Sequence, residues 1–266
     1  MIYWVPAKIP VEHPIDTVIV SSLLRMASRP LLLGFLVNGC GAQVGTVRGE
    51  SLHRMDDGGI PCLIPAMTGA FDTDDQRKKT PVPIDRLDAL PALLVIDLQR
   101  GTLSNPMAHP SDIVVANATK LLTAFRSHGL PVVLANVEGT PGGRNDYGGS
   151  ARQYPPEFTE LVPELDRQPD DLTVTRRTWS AFAGTDLHAT LSASGVTQVV
   201  IAGVATSFGV ESTGRDAYDL GYNVVLAIDA MTDIRIESHE NSLTRVFPLI
   251  GQTGTTSEIT AQLASI

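Results

Sequence analysis

Asp97 closes the apolar run Leu93-Leu94-Val95-Ile96, a position where a carboxylate is stripped of water on several sides. Burial disfavours the charged form, so such a group is drawn toward the range useful for a general acid or base. The plainer reading is a turn residue that satisfies the backbone following it. Arg176 and Arg177 stand just after another short stretch, Leu172 to Thr175. An arginine there either grips a substrate carboxylate with two parallel hydrogen bonds or holds Asp97 ionised. Trp179 and Phe182 come next and either wall a pocket or pack in the core. The segment Gly203-Val204-Ala205-Thr206-Ser207-Phe208-Gly209 is rich in small residues and leads into a helical pattern. Backbone N–H groups that gather at such a junction suit an oxyanion or a carboxylate. A rival reading takes Ala205 to Gly209 as a G-x-S-x-G elbow with alanine first, Ser207 as nucleophile, Asp229 or Asp233 as acid and His239 as base. Its acid-to-histidine spacing is very short for that arrangement.

These residues need elements to position them. Ala92–Ile96 is a continuous apolar run, as in a strand buried on both faces. Further strands are predicted over Pro131–Ala135, Leu172–Thr175, Gln198–Ala202, Asn223–Ile228 and near Leu249–Thr253. Helices are predicted between them: one opened by Pro110-Ser111-Asp112 and stopped by Gly129, one capped by Thr185-Asp186, one from near Gly209 to Gly221, one around Glu237–Val246, and a last one with a capping box, Thr255-Thr256-Ser257-Glu258. Glu138 to Asp171 reads as a long irregular stretch rich in Gly, Pro and Tyr. Strands alternating with helices imply an α/β fold: three layers, α/β/α, around a six-stranded, mainly parallel sheet of Rossmann-like type. Ligands bind such sheets beyond the carboxyl ends of the strands. That places Asp97, Asn136 to Glu138, Arg176, Gly203 to Gly209 and Asp229 at the expected site.

Composition narrows the function. Of 266 residues 43% are hydrophobic and 18% charged, enough apolar material for a sizeable core. The formal net charge is −9 and the isoelectric point about 5.1, with no basic footprint for nucleic acid or an anionic membrane surface. The two cysteines, Cys40 and Cys62, both lie early, no C-x-x-C occurs, and no zinc site of ordinary spacing is expected. Residues 1–80 lack periodicity and read as an N-terminal extension, poorly ordered or the product of a misplaced start codon ahead of Met67. The run Pro30–Val37 before Cys40 weakly matches an export signal, but it is short and far from Met1, so a cytoplasmic location is expected. The second domain spans 84–266.

Three segments carry a family resemblance. Leu94-Val95-Ile96-Asp97-Leu98-Gln99 resembles the opening motif of the isochorismatase-like (cysteine hydrolase) superfamily. Thr175-Arg176-Arg177-Thr178-Trp179-Ser180-Ala181-Phe182 resembles its second motif, and Gly203 to Thr213 its third. The resemblance implies a parallel six-stranded sheet, a hydrolase, and catalytic positions at Asp97, Arg176 and Gly209, where most members carry Asp, Lys and a nucleophilic Cys. It also implies a cis peptide between Val204 and Ala205, and backbone groups of Val204, Ala205 and Gly209 facing developing negative charge. Gln99, Trp179, Phe182 and Ser207 are the expected substrate contacts. Gly209 has no side chain, so a thioester cannot form there. The superfamily's isochorismatases proper, which cleave a vinyl ether by protonating carbon, also have glycine at this place. The expected function is therefore hydrolysis of a small anionic metabolite by acid/base chemistry; the alternative is a member that binds a metabolite without turning it over. No cofactor or metal is expected, Asn136-Val137-Glu138-Gly139-Thr140 lacking the Asp/His metal motif of nicotinamidase-like members. A homo-oligomer, dimer or tetramer, is expected from the same resemblance.

Overall fold

Every residue of Pro91–Ile96 is buried in the computed structural model, which describes residues 84–146 and 148–266. The extension expected over residues 1–80 lies outside the described residues. The strands are β1 (Pro91–Ile96), β2 (Val132–Val137), β3 (Gly139–Thr140), β4 (Arg152–Gln153), β5 (Leu172–Arg176), β6 (Gln198–Val204), β7 (Asn223–Thr232) and β8 (Gln252–Gly254). The helices are α1 (Arg100–Leu103), α2 (Ser111–Ser127), α3 (Pro156–Thr159), α4 (Leu187–Ala193), α5 (Glu211–Asp219), α6 (Ile236–Asn241), α7 (Phe247–Ile250) and α8 (Thr256–Leu263). Six strands form one sheet in the order β5-β2-β1-β6-β7-β8, and each neighbouring pair is parallel. β3 and β4 form a separate antiparallel pair.

Alternation along the central strands makes the three layers. Successive side chains point to opposite faces. Leu93 and Val95 therefore pack with Phe125 of α2 and Ile259 of α8 on one face. Leu94 and Ile96 pack with Leu191 of α4 and Phe247 of α7 on the other. This is the expected α/β/α arrangement.

The stretch Glu138 to Asp171, expected to be irregular, holds β3, β4 and α3, and α1 was not expected; the other differences from the sequence reading fall at element ends. β7 runs on to Thr232, so Asp229 lies inside it; its carboxylate accepts from the N–H and hydroxyl of Thr256 and anchors the start of α8. Leu249 and Ile250 are helical rather than extended, because Pro248 sits in the first turn of α7, where its fixed φ fits, and Phe247 and Ile250 bury one face. The last strand begins only at Gln252. A wide turn, Thr206–Val210, precedes α5.

The central register brings Gly203 beside Ile96. Gly203 has φ +121°, and a Cβ there would lie 2.0 Å from the Ile96 carbonyl oxygen. Only glycine lets β6 approach β1 this closely. Gly203→Ala is expected to cost about 3 kcal/mol or more through overpacking and backbone strain, read as a lowered midpoint in urea unfolding; an unchanged midpoint would refute the close approach.

Candidate active site

The chain leaves β1 at Asp97 with φ +49°, a left-handed conformation that Asp tolerates better than most residues. The Asp97 N–H donates to the carbonyl of Ala135 (2.9 Å), and the Thr102 hydroxyl donates to the Asp97 carbonyl. The side chain is thereby turned under the sheet's carboxyl end. Arg176, the last residue of β5, meets it there. Its Nη1 donates to Oδ1 at 2.6 Å and its Nη2 to Oδ2 at 3.0 Å, while Nη2 also donates to the Trp179 carbonyl at 2.8 Å. Asp97 is 6% exposed and Arg176 4%. Among the described residues the buried Nε of Arg176 has no hydrogen-bond partner, an unspent donor of the sort that costs about 1–3 kcal/mol. Burial pushes the Asp97 carboxyl above the ordinary carboxylate range; the charge and hydrogen bonds of Arg176 pull the other way without cancelling it.

β6 supplies the other side. The peptide between Val204 and Ala205 is cis. A Cβ placed on Gly209 would lie 3.1 Å from Asp97 Oδ2, 3.2 Å from the Val204 carbonyl oxygen and 2.8 Å from Ile96 Cγ2. Gly209 thus lies close to the carboxylate, and a side chain there would require Ile96 to move. The turn between these residues is pinned from behind. The N–H and hydroxyl of Ser207 both donate to Asp233 Oδ2 at 2.8 Å, and the Thr206 hydroxyl is 2.9 Å from His239 Nδ1.

A cavity of about 240 Å³ opens above Asp97, with Val204, Ala205 and Gly209 beside the carboxylate. Two aromatic pairs line it. Tyr154 and Phe158 lie 4.3 Å apart at an interplanar angle of 34°, and Trp179 and Phe208 meet edge-on at 5.0 Å. Trp179 is 59% exposed and Phe208 42%, so this second pair stands at the mouth. Burial raises the pKa of the Tyr154 phenol, which stays neutral; nearby Arg152 opposes this and Asp97 adds to it. A wider opening of about 400 Å³ lies where β6, β7 and β8 begin, at Gln198, Asn223 and Gln252, and does not include Asp97.

Asp97, Val204, Ala205, Gly209 and Trp179 line the cavity, and Arg176 lies behind Asp97, paired with it. Gln99, Phe182 and Ser207 do not line it. Gln99 is wholly buried: its Nε2 donates to the carbonyls of Val137 (3.0 Å) and Phe158 (3.1 Å), and its Oε1 accepts from the Val137 N–H (2.9 Å). It braces the site rather than touching a ligand. Phe182 stacks on Tyr222 in the core. Ser207 is held by Asp233 while His239 bonds Thr206, so the serine–histidine contact a triad requires is not made. Sequence reasoning missed Tyr154, Phe158, Met107 and Ile234; Phe158 lies in the one-turn helix α3 and the others in irregular segments, all too short for periodicity. The length and Tyr content of 138–171 were the available signal. Among the described residues no group of three or more His, Cys, Asp or Glu could hold a metal ion, and no helix is long and apolar enough to cross a membrane.

Residues 91–258 match the model of the isochorismatase domain. The chain belongs to the isochorismatase family. It is 40% identical over 179 residues to the isochorismatase family protein YwoC of Bacillus subtilis, covering 65% of this chain and 93% of that one. It is 32% identical to the ureidoacrylate amidohydrolase RutB of Variovorax paradoxus, covering 54% and 69%. Among solved structures, an isochorismatase family protein of Burkholderia thailandensis superposes with a TM-score of 0.65 at 36% identity, covering 70% of this chain and all of that one. Membership of this family makes the protein a hydrolase by class.

Two expectations follow from the braces around the site. Gln99→Leu would leave the Val137 N–H and two carbonyls unpaired and is expected to lower unfolding free energy by about 2–4 kcal/mol, measured in urea; a loss under about 0.5 kcal/mol would contradict the bracing role. His239 is held below 6.5, first by burial and then by the His109 ring, with Asp233 and Glu240 opposing. A depressed histidine favours the neutral form in the fold, so stability is fullest above 6.5 and falls as pH drops through it, the unfolded chain binding the proton more readily. His239→Gln should flatten that fall in unfolding free energy between neutral and mildly acidic pH; an unchanged slope would show that another group causes it.

Proposed function

We propose that the protein hydrolyses a small anionic metabolite with Asp97 as the acid and without a cysteine nucleophile. The carrying observation is the closeness of Gly209 to the Asp97 carboxyl, where an added Cβ would lie 3.1 Å from Oδ2. By the motif match, position 209 is where most of the superfamily bears its cysteine, and here a Cβ would strike Ile96 at 2.8 Å. No cysteine occurs after Cys62, so the described residues contain no thiol to replace it.

What remains is an acid whose pKa burial raises, beside a fixed cation and next to a cavity. With a vinyl ether, Asp97 gives its proton to the terminal alkene carbon, and positive charge develops on the carbon bearing the ether oxygen. Water adds to that carbon and loses a proton that returns to Asp97. The resulting hemiketal splits into a carbonyl compound and an alcohol. Arg176 compensates the Asp97 carboxylate while it is ionised, so the proton is transferred without leaving an unpaired buried charge. Both Asp97 oxygens are engaged by Arg176, and this favours a second reading, a protein that binds the metabolite and does not convert it.

Turnover of isochorismate by the full chain tests the proposal. Asp97→Asn should reduce kcat about 10²–10⁴-fold with an unchanged circular dichroism spectrum. The active form is the protonated one, so kcat/KM should be greatest at low pH and fall as pH rises through the raised Asp97 pKa. Activity retained in the variant would remove Asp97 from the chemistry. Saturable binding with no turnover by the wild type would establish the non-catalytic reading.

A further inference from the structure

Arg176 and Arg177 are adjacent in sequence, but the structure divides their labour. Arg176 has both Nη groups on Asp97 and Trp179, is buried and does not line the cavity, so it is not placed to grip a ligand. Arg177, the next residue, points the other way, as successive side chains do on leaving a strand. Its side chain lines the cavity and is about half exposed at the mouth. Its Nε donates to Glu138 Oε1 at 3.0 Å, and among the described residues the two Nη groups have no acceptor. Among the described residues lining the cavity it carries the only positive charge.

Three other polar side chains of the lining are engaged by the backbone. The Thr102 hydroxyl serves the carbonyls of Asp97 and Gln99, the Asn105 amide those of Gly101 and Thr102, and the Thr140 hydroxyl bonds the backbone at Ser150 and Arg152. Between Arg177 and Asp97 the walls include the two aromatic pairs, together with Met107, Ile234 and the backbone of Val204, Ala205 and Gly209.

We infer that Arg177 is the specificity-determining residue, binding the carboxylate of a flat, ring-bearing acid whose ring lies against Tyr154–Phe158 and Trp179–Phe208. The free pair of Nη groups matches a carboxylate edge, and a guanidinium whose Nε is already fixed loses little freedom on binding. Aromatic walls reward a planar ring over a branched chain. A carboxylate held at the mouth places the opposite end of the molecule at Asp97. This last placement rests on the acid role proposed above; the carboxylate site does not.

Isothermal titration of the full chain with benzoate and with benzamide, its neutral near-isostere, tests the inference. Benzoate should bind saturably and at least about tenfold more tightly than benzamide. Arg177→Gln should weaken benzoate by about tenfold or more and leave benzamide unchanged, which also shows that the pocket is still folded; Arg177→Lys should fall between. Equal binding of the two ligands, wild-type benzoate affinity in Arg177→Gln, or no saturable benzoate binding would each overturn it. The titration requires no turnover, so failure of the Asp97 chemistry and failure of the carboxylate site are read separately.

Discussion

The buried pair of Asp97 and Arg176 is the constraint around which the site is arranged. Removing two charges from water costs several kcal/mol for each, and the cost is offset only by close, well-aligned partners. Here the two guanidinium contacts and the Trp179 carbonyl provide them. The pair also joins β1 to β5, which are not neighbours, since β2 lies between them. Arg176 must therefore reach across the end of β2. The brace at Gln99, which ties the end of β2 to the segment after β1, keeps that span fixed.

The electrostatics of the pair follow from two opposing causes. Burial favours a neutral carboxyl, and a neighbouring guanidinium that never loses its proton favours an ionised one. Burial is the larger influence. A proton at Asp97 is thus held in an environment where either state is supported by something nearby. A carboxyl of this kind can give up and recover a proton within one catalytic cycle without rebuilding its surroundings.

How much of this was legible depended on whether a residue's neighbours were local in sequence. The apolar runs at Leu93–Ile96 and Gln198–Ala202 announced central strands because burial on both faces removes alternation. The capping box at Thr255 and Glu258 formed as read, since both partners lie within one turn. That Gln99, Phe182 and Ser207 lie off the cavity lining was not legible, for the opposite reason. Their partners are Val137 and Phe158, Tyr222, and Asp233, far along the chain, and spacing alone cannot show which way such side chains turn. Tyr154, in an irregular stretch, and Phe158, in the single turn of α3, carry no periodic signature. The split between Arg176 and Arg177 could be posed from sequence but not resolved, because a strand's last residue decides its neighbour's direction.

The sheet order separates two kinds of residue. Asp97 and the Val204–Ala205 backbone stand at the ends of β1 and β6, adjacent at the centre and locked in register by the close approach of Gly203 to Ile96. Tyr154 and Phe158 come from the long connection between β2 and β5, at the edge, and share no ladder with that centre. Changes in the connection can alter what the cavity admits while the proton-handling groups keep their spacing. A lineage carrying this architecture can explore new metabolites by drift in one peripheral segment, with the reaction inherited intact.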